Sequence, residues 1–206
     1  MDWTVFHALN SLLVGHSTIG DSLADFAVYS VPLFAVATAA LWLVDRPGDR
    51  PKWKVASLAA FTSAAVALAT NQVISHIWAR PRPTVAHPGA HLFFVAPSAD
   101  PSFPSDHAAA AFAIAVAVFL ISRRVGAVFL VVAAALAVDR VVLGLHYPGD
   151  VLAGSVIGLA AAWIIHRFAG NQLLRIVGWI SRVTDPIVRP VWASVDRRRR
   201  GLTTAR

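Results

Sequence analysis

The chain of 206 residues contains no cysteine, and it carries little charge: Lys, Arg, Asp and Glu together make up only 14% of it. The missing thiols exclude disulfides, thiolate nucleophiles and Cys-ligated zinc, and leave the redox compartment open. The scarcity of charge, beside 57% hydrophobic residues and a mean hydropathy of +0.62, excludes an ordinary soluble domain. No internal repeat or low-complexity linker divides the sequence. What it has instead is apolar runs close to the span length of about 17–25 residues, at 22–44, 54–79, 106–121, 125–144 and 150–168. These predict an all-α, polytopic membrane helix bundle of about five spans, a single integral domain over 1–196 followed by a basic tail, 197–206. Residues 1–20 lack a cationic n-region and a small-residue cleavage site, so insertion without cleavage is expected.

The net charge of +7 would suit nucleic acid, but its distribution suits a bilayer. Fifteen of the eighteen Lys and Arg residues fall in the first and third connections and after the last run. Under the positive-inside rule that side is cytoplasmic. Only Arg80, Arg82 and Arg140 remain for the outer side, and each needs a local reason.

Both ends have an interfacial pattern. Trp3, Phe6, Leu9 and Leu13 mark one helical face, which predicts a short helix along the outer surface. Arg175, Arg182 and Arg189 recur beside Val177, Ile180 and Ile187, a basic amphipathic pattern suited to an anionic inner leaflet. Pro186 and Pro190 are expected to break it. Trp78, Phe93 and Phe94 are expected as interfacial anchors. No obligate protein partner is expected.

Three polar clusters share the outer face: "NQVISHIWARPRPT" at the end of the second run, "FPSDH" at the start of the third, and "DRVVLGLHYPGD" between the fourth and fifth. Ionisable groups in membrane segments are costly and are usually paired or functional. Asp139 and Arg140 alone could be a structural ion pair, but three clusters on one face point to anion handling. Arg82 and Arg140 can offer bidentate forks to phosphate oxygens, while His107 and His146 can carry protons near neutrality. Ser105 stands at an N-cap position, so free N–H groups and the helix dipole there would favour an anion. Asp150, four residues after His146 across a Pro-Gly turn, could fix the imidazole tautomer and leave the other nitrogen free to attack phosphorus. His87 and His91 have no carboxylate between them; they read as solvated loop histidines, and no metal or cofactor is expected.

These motifs resemble the type 2 phosphatidic acid phosphatase superfamily, whose signatures are Lys-x6-Arg-Pro, Pro-Ser-Gly-His and Ser-Arg-x5-His-x3-Asp. They stand here as Ser75-x6-Arg82-Pro83, Pro104-Ser105-Asp106-His107 and Asp139-Arg140-x5-His146-x3-Asp150. Within that superfamily, "FPSDHA" and "HYPGDVLAG" look most like bacterial undecaprenyl-diphosphate phosphatases of the bacitracin-resistance type. The resemblance implies a metal-independent enzyme whose site faces outward and whose substrate is a polyprenyl diphosphate. It implies His146 as nucleophile, Asp150 as its orienting partner and His107 as acid and then base. Arg82, Ser105 and Arg140 would hold the phosphoryl oxygens. Other lipid phosphates are the alternative substrates, and a lipid or anion transporter is the alternative class. Three departures stand out: Ser75 replaces the lysine, Asp106 the glycine, and Asp139 the serine. Arg80 or His76 is expected to supply the missing cation, with Arg80 favoured, and Asp106 to need an arginine or a proton beside a phosphate.

Overall fold

The structure, a computed structural model, describes residues 2–93 and 100–203, with side chains for all of these except Ser17 and residues 198–203. Phe94 lies outside the described residues. The elements are α1 (Asp2–Asn10), a 3-10 turn (Ser11–Leu13), α2 (Ser17–Trp42), α3 (Lys52–Ile77), α4 (Pro83–Ala86), α5 (Asp106–Ile121), α6 (Arg123–Val142), α7 (Pro148–Phe168) and α8 (Gly170–Thr203). The all-α multi-pass bundle expected from the sequence is therefore present. α2, α3, α6 and α7 are long and apolar enough to cross a bilayer, whereas α5 has 16 residues. At about 1.5 Å per residue, α5 is some 24 Å long, short of the roughly 30 Å hydrocarbon thickness.

That short helix is the centre of the bundle, packed among α3, α6 and α7. Its alanines 108–111, 113, 115 and 117 are buried, which lets neighbouring backbones approach closely. One such approach is to α7, where Gly154 and Gly158 repeat at four-residue spacing. A Cβ added at Gly154 would lie 2.4 Å from the Ser105 carbonyl oxygen, and one at Gly158 would lie 2.3 Å from that of Ala109. This small-residue seam brings the start of α7 against the start of α5, with the Ser105 N–H donating to the Asp150 carbonyl at 3.0 Å.

α1 does more than lie along the surface. Phe6 is fully buried against Tyr147, Val151, Ala108, Ala137 and Val141. Asn10, also buried, donates to the carbonyls of His91 and Val142 at 2.9 Å each and accepts from the His91 N–H. The stripe beginning at Trp3 thus ties α1 to the end of α6 and the start of α7.

At the opposite end, the Asp45 carboxylate accepts from the N–H groups of Trp53 and Lys54 at 2.7 and 2.8 Å, satisfying free donors in the first turn of α3. α8 docks there as one helix, so the expected break at Pro186 and Pro190 does not occur. Both prolines are exposed. Being four apart, they share one face, so the carbonyls they leave without an N–H partner, those of Arg182 and Pro186, also lie toward that exposed side. The bundle-facing side of α8 buries Leu173 and Val177 in its first turns and is polar beyond them: Asp185 and Ser181 hold the buried Lys54 ammonium, Thr184 meets Trp42 and Asp196 pairs with Arg46. Trp179, Val183, Ile187 and Val191 form a separate, exposed ridge.

Candidate active site

A cavity of about 720 Å³ opens at the end of the bundle where α3 stops and α5 and α7 begin. All three polar clusters contribute to its lining: Gln72, Ser75, His76 and Arg82 from the first, Pro104, Asp106 and His107 from the second, and Arg140, Leu145 and His146 from the third. Residues 70 positions apart in sequence meet because the α5–α7 seam and the packing of α3 on both helices leave their polar ends together.

His146 is presented by a turn after α6. Gly144 occupies the left-handed region at φ +87°, and a Cβ there would lie 2.0 Å from the His91 carbonyl oxygen, so glycine is required twice over. The Leu145 and His146 N–H groups donate back to the Arg140 carbonyl at 3.0 and 3.2 Å. The His146 ring is buried, and its Nδ1 lies 2.8 Å from the Ser102 carbonyl oxygen. A carbonyl can only accept, so Nδ1 carries the proton and Nε2 keeps its lone pair. Burial, reinforced by the nearby Arg82 cation, pushes the imidazole down to about 3, so the ring is neutral at physiological pH.

The partner that fixes this tautomer is thus not the carboxylate expected from the sequence. Asp150 Oδ2 is 3.9 Å from His146 Nδ1, beyond hydrogen-bond reach. Asp150 is fully buried and instead accepts from the Ser102 hydroxyl at 2.5 Å, the Tyr147 N–H at 2.9 Å and Arg80 Nη1 at 2.7 Å. It holds the residue that holds His146. Ser102 carries no sequence signature, because its link to His146 runs through a backbone carbonyl that any residue type possesses.

The basic groups divide into two kinds. Arg82 donates through Nε to the Asp100 carbonyl and through Nη1 to the Leu145 carbonyl, each at 3.0 Å, which fixes the guanidinium at the cavity wall. Burial lowers its proton affinity, with Asp100, Asp150 and Asp106 acting in opposition, and an arginine in such a setting stays cationic. Arg140 is 5% exposed, and its Nε finds no hydrogen-bond partner among the described residues. Arg80 differs: it does not line the cavity, and its two Nη atoms are taken by Asp150 and Asp2, each at 2.7 Å. The expectation that Arg80 supplies the missing motif cation to a phosphate is not met. Ser75 and His76 do line the cavity, and His76 Nδ1 lies 2.6 Å from the Gln72 carbonyl, leaving Nε2 available.

The remaining expected residues sit as follows. Ser105 is the N-cap residue of α5, but its buried hydroxyl makes no capping bond and has no other partner among the described residues. Asp106 lines the cavity, where the amides of Asn71 and Gln72 hold its carboxylate at 2.9 and 3.3 Å, two neutral donors where an arginine or a proton was expected. His107 lines the cavity beside it. Asp139 and Arg140 form no ion pair: the buried Asp139 carboxylate finds no hydrogen-bond partner among the described residues and lies beside a groove shared with Leu23 and Phe26 of α2. His87 is stacked on Trp3 at 3.9 Å between centroids, a ring contact in place of the solvated loop position expected. Among the described residues no group of three His, Cys, Asp or Glu side chains could hold a metal ion.

Chemically, the cavity combines a neutral imidazole whose second ring nitrogen keeps its lone pair, a second histidine and two cations, and the unpartnered Ser105 hydroxyl is buried at the start of the helix that carries His107. Such a set can bind a tetrahedral dianion and attack its central atom.

Comparison with known proteins agrees with that chemistry. A family model described as the PAP2 superfamily matches residues 56–173. The chain is 31% identical over 190 residues to undecaprenyl-diphosphatase BcrC of Bacillus subtilis (strain 168), covering 91% of this chain and 94% of that protein. It is 36% identical over 163 residues to the putative undecaprenyl-diphosphatase YbjG of Escherichia coli (strain K12), covering 76% and 77%. Among solved structures, LpxE of Aquifex aeolicus shares the fold, with a TM-score of 0.62 at 21% identity over 81% of this chain and 94% of that one.

Proposed function

Since the chain belongs to the PAP2 superfamily and is a multi-pass membrane phosphatase, we propose that it removes the terminal phosphate of a polyprenyl diphosphate, releasing the monophosphate and inorganic phosphate. The observation that carries this reading is His146: a buried, neutral imidazole with Nδ1 committed to Ser102 and its ring in a cavity walled by Arg82 and Arg140. The likeness to the undecaprenyl-diphosphatase of Bacillus subtilis over nine-tenths of the chain supports the substrate class.

In the proposed reaction His146 Nε2 attacks the terminal phosphorus, and the bond from phosphorus to the bridging oxygen breaks. His107, which takes up a proton when the bound diphosphate offsets the charge of Arg82 and Arg140, passes it to that oxygen as it leaves with the lipid monophosphate. Arg82, Arg140 and the Ser105 hydroxyl hold the equatorial oxygens as charge spreads over them in the transition state. His107 then takes a proton from water, whose oxygen attacks the phosphohistidine, releases phosphate and restores His146. The chain's own residues supply each step without a metal or cofactor.

The site is proposed to face away from the cytoplasm. Most Lys and Arg residues cluster at the bundle end where α8 docks, and the cavity is at the other end. An impermeant thiol reagent should label Val85→Cys, at an exposed position, in intact cells, and Arg189→Cys only after membrane disruption. The reverse pattern contradicts this orientation.

The substrate assignment is tested by phosphate release from a panel of lipid phosphates in detergent with chelator present. The expected result is preferential cleavage of polyprenyl diphosphate, unaffected by EDTA and inhibited competitively by orthovanadate, which adopts the five-coordinate geometry of the transition state. A requirement for added magnesium, or preference for a phosphomonoester lipid, contradicts it.

A further inference from the structure

Behind the cavity, a chain of polar contacts runs from the N-terminal helix to the His146 ring without a gap. Asp2 Oδ2 accepts from Arg80 Nη2 at 2.7 Å, and Arg80 Nη1 donates to Asp150 Oδ1 at 2.7 Å. Asp150 Oδ2 accepts from the Ser102 hydroxyl, and the Ser102 carbonyl lies 2.8 Å from His146 Nδ1. The Ser102 N–H also donates to the Arg80 carbonyl at 2.8 Å, so the two residues are held together by main chain as well as through Asp150.

Each link has a physical reason. A carboxylate as buried as Asp150 needs a cation and several donors to remain ionised, and among the described residues Arg80 is the only cation in hydrogen-bond contact with it. Arg80 is itself a quarter exposed and could turn toward solvent. Two contacts prevent this: the guanidinium lies 3.8 Å over the Tyr147 ring, and Asp2 grips its far side. The other oxygen of Asp2 accepts from the Gly149 N–H at 2.9 Å, pinning the first turn of α7, which carries Asp150. α1 is held in place by buried Phe6 and by Trp3 stacked on His87, so Asp2 is presented from a fixed support.

We propose that Asp2 and Arg80 are positioning residues for His146, making the N-terminal helix a part of the catalytic apparatus. They hold Asp150, Asp150 holds Ser102, and the Ser102 carbonyl fixes the imidazole tautomer and aim. This rests on His146 being the attacking nitrogen. Neither Asp2 nor Arg80 lines the cavity, so their loss should slow the chemical step and leave substrate binding in place.

The test is steady-state kinetics of the full chain purified in detergent, with polyprenyl diphosphate as substrate. Asp2→Asn keeps the shape and removes the charge; it should lower kcat about tenfold, as expected for one charge-assisted hydrogen bond, with KM within about twofold of the parent. Asp2→Glu should recover part of the loss. Arg80→Gln should be at least as impaired as Asp2→Asn, and the double variant no worse than Arg80→Gln alone, because both act through one chain of contacts. Unchanged kcat in Asp2→Asn, a loss expressed in KM alone, or additive effects in the double variant would overturn the proposal. A fall in thermal midpoint with kcat preserved would do the same, by reducing the contact to a structural one. His146→Ala run alongside separates the two readings: turnover there overturns the nucleophile assignment, whereas an inactive His146→Ala beside a fully active Asp2→Asn overturns only the role of Asp2.

Discussion

Gly154 of α7 sits so close to Ser105 that a Cβ on the glycine would lie 2.4 Å from the serine's carbonyl oxygen. That contact sets the distance between the helix that follows His146 and the helix that carries His107. Gly154→Ala must therefore push α5 and α7 apart, and overpacking of this kind typically costs about 1–3 kcal/mol. The expected outcome is a lowered thermal midpoint together with reduced kcat, since the displaced contact adjoins the site. Gly178→Ala, in α8 with open space around its Cβ position, serves as the control and should lower neither, since alanine is the better helix former there. A Gly154→Ala protein with wild-type stability would refute the close-packed seam.

Burial holds the His146 imidazole at about 3, below the ordinary histidine value. The unfolded chain therefore binds a proton at this site as pH falls through about 6.5, while the folded chain does not until near pH 3. The contribution to stability is fully present above about pH 6.5 and declines steadily below it. Thermal midpoints from pH 8 to pH 4.5 should fall more steeply for the parent than for His146→Gln, whose side chain does not titrate. Equal slopes would mean that the imidazole is not held neutral by burial.

Lys54 is buried at the base of α3, and its ammonium is matched by Asp185 of α8. Removing one partner of a buried pair leaves an uncompensated charge, whereas removing the lysine with a similar apolar shape does not. Asp185→Asn should destabilise the protein by about 3 kcal/mol and expose α8 to limited proteolysis, and Lys54→Met in that background should restore much of the loss. If Asp185→Asn left the melting curve and the proteolytic pattern unchanged, α8 would not be held by this pair.

The elements and the site were legible to different depths in the sequence, for identifiable reasons. The apolar runs and the three polar clusters are local patterns, so the multi-pass helical bundle and the gathering of Arg82, His107, Arg140 and His146 could be read directly. Ser102 and Asp2 could not, because their contacts to Asp150 and Arg80 depend on chain segments far apart and on a backbone oxygen with no sequence signature. Arg80 was misplaced because one-dimensional spacing counts cations near a motif and not the carboxylates that reach them first. Pro186 and Pro190 misled through the ordinary rule for helix interiors, which fails where both rings share an exposed face. The four-residue spacing of Gly154 and Gly158 is visible in the sequence, but that it meets Ser105 and Ala109 of the α5 segment is seen only in the folded chain.

The central claim is that His146 becomes covalently phosphorylated in the catalytic cycle. The most direct measurement is rapid alkaline quenching of the full chain during turnover of polyprenyl diphosphate labelled in its terminal phosphate, followed by peptide mapping. The account predicts an acid-labile, alkali-stable label on the peptide containing His146, formed at a rate no slower than kcat, and absent from an inactive His146→Ala protein. Turnover by His146→Ala, or a label that forms at another residue in the active enzyme, would contradict it.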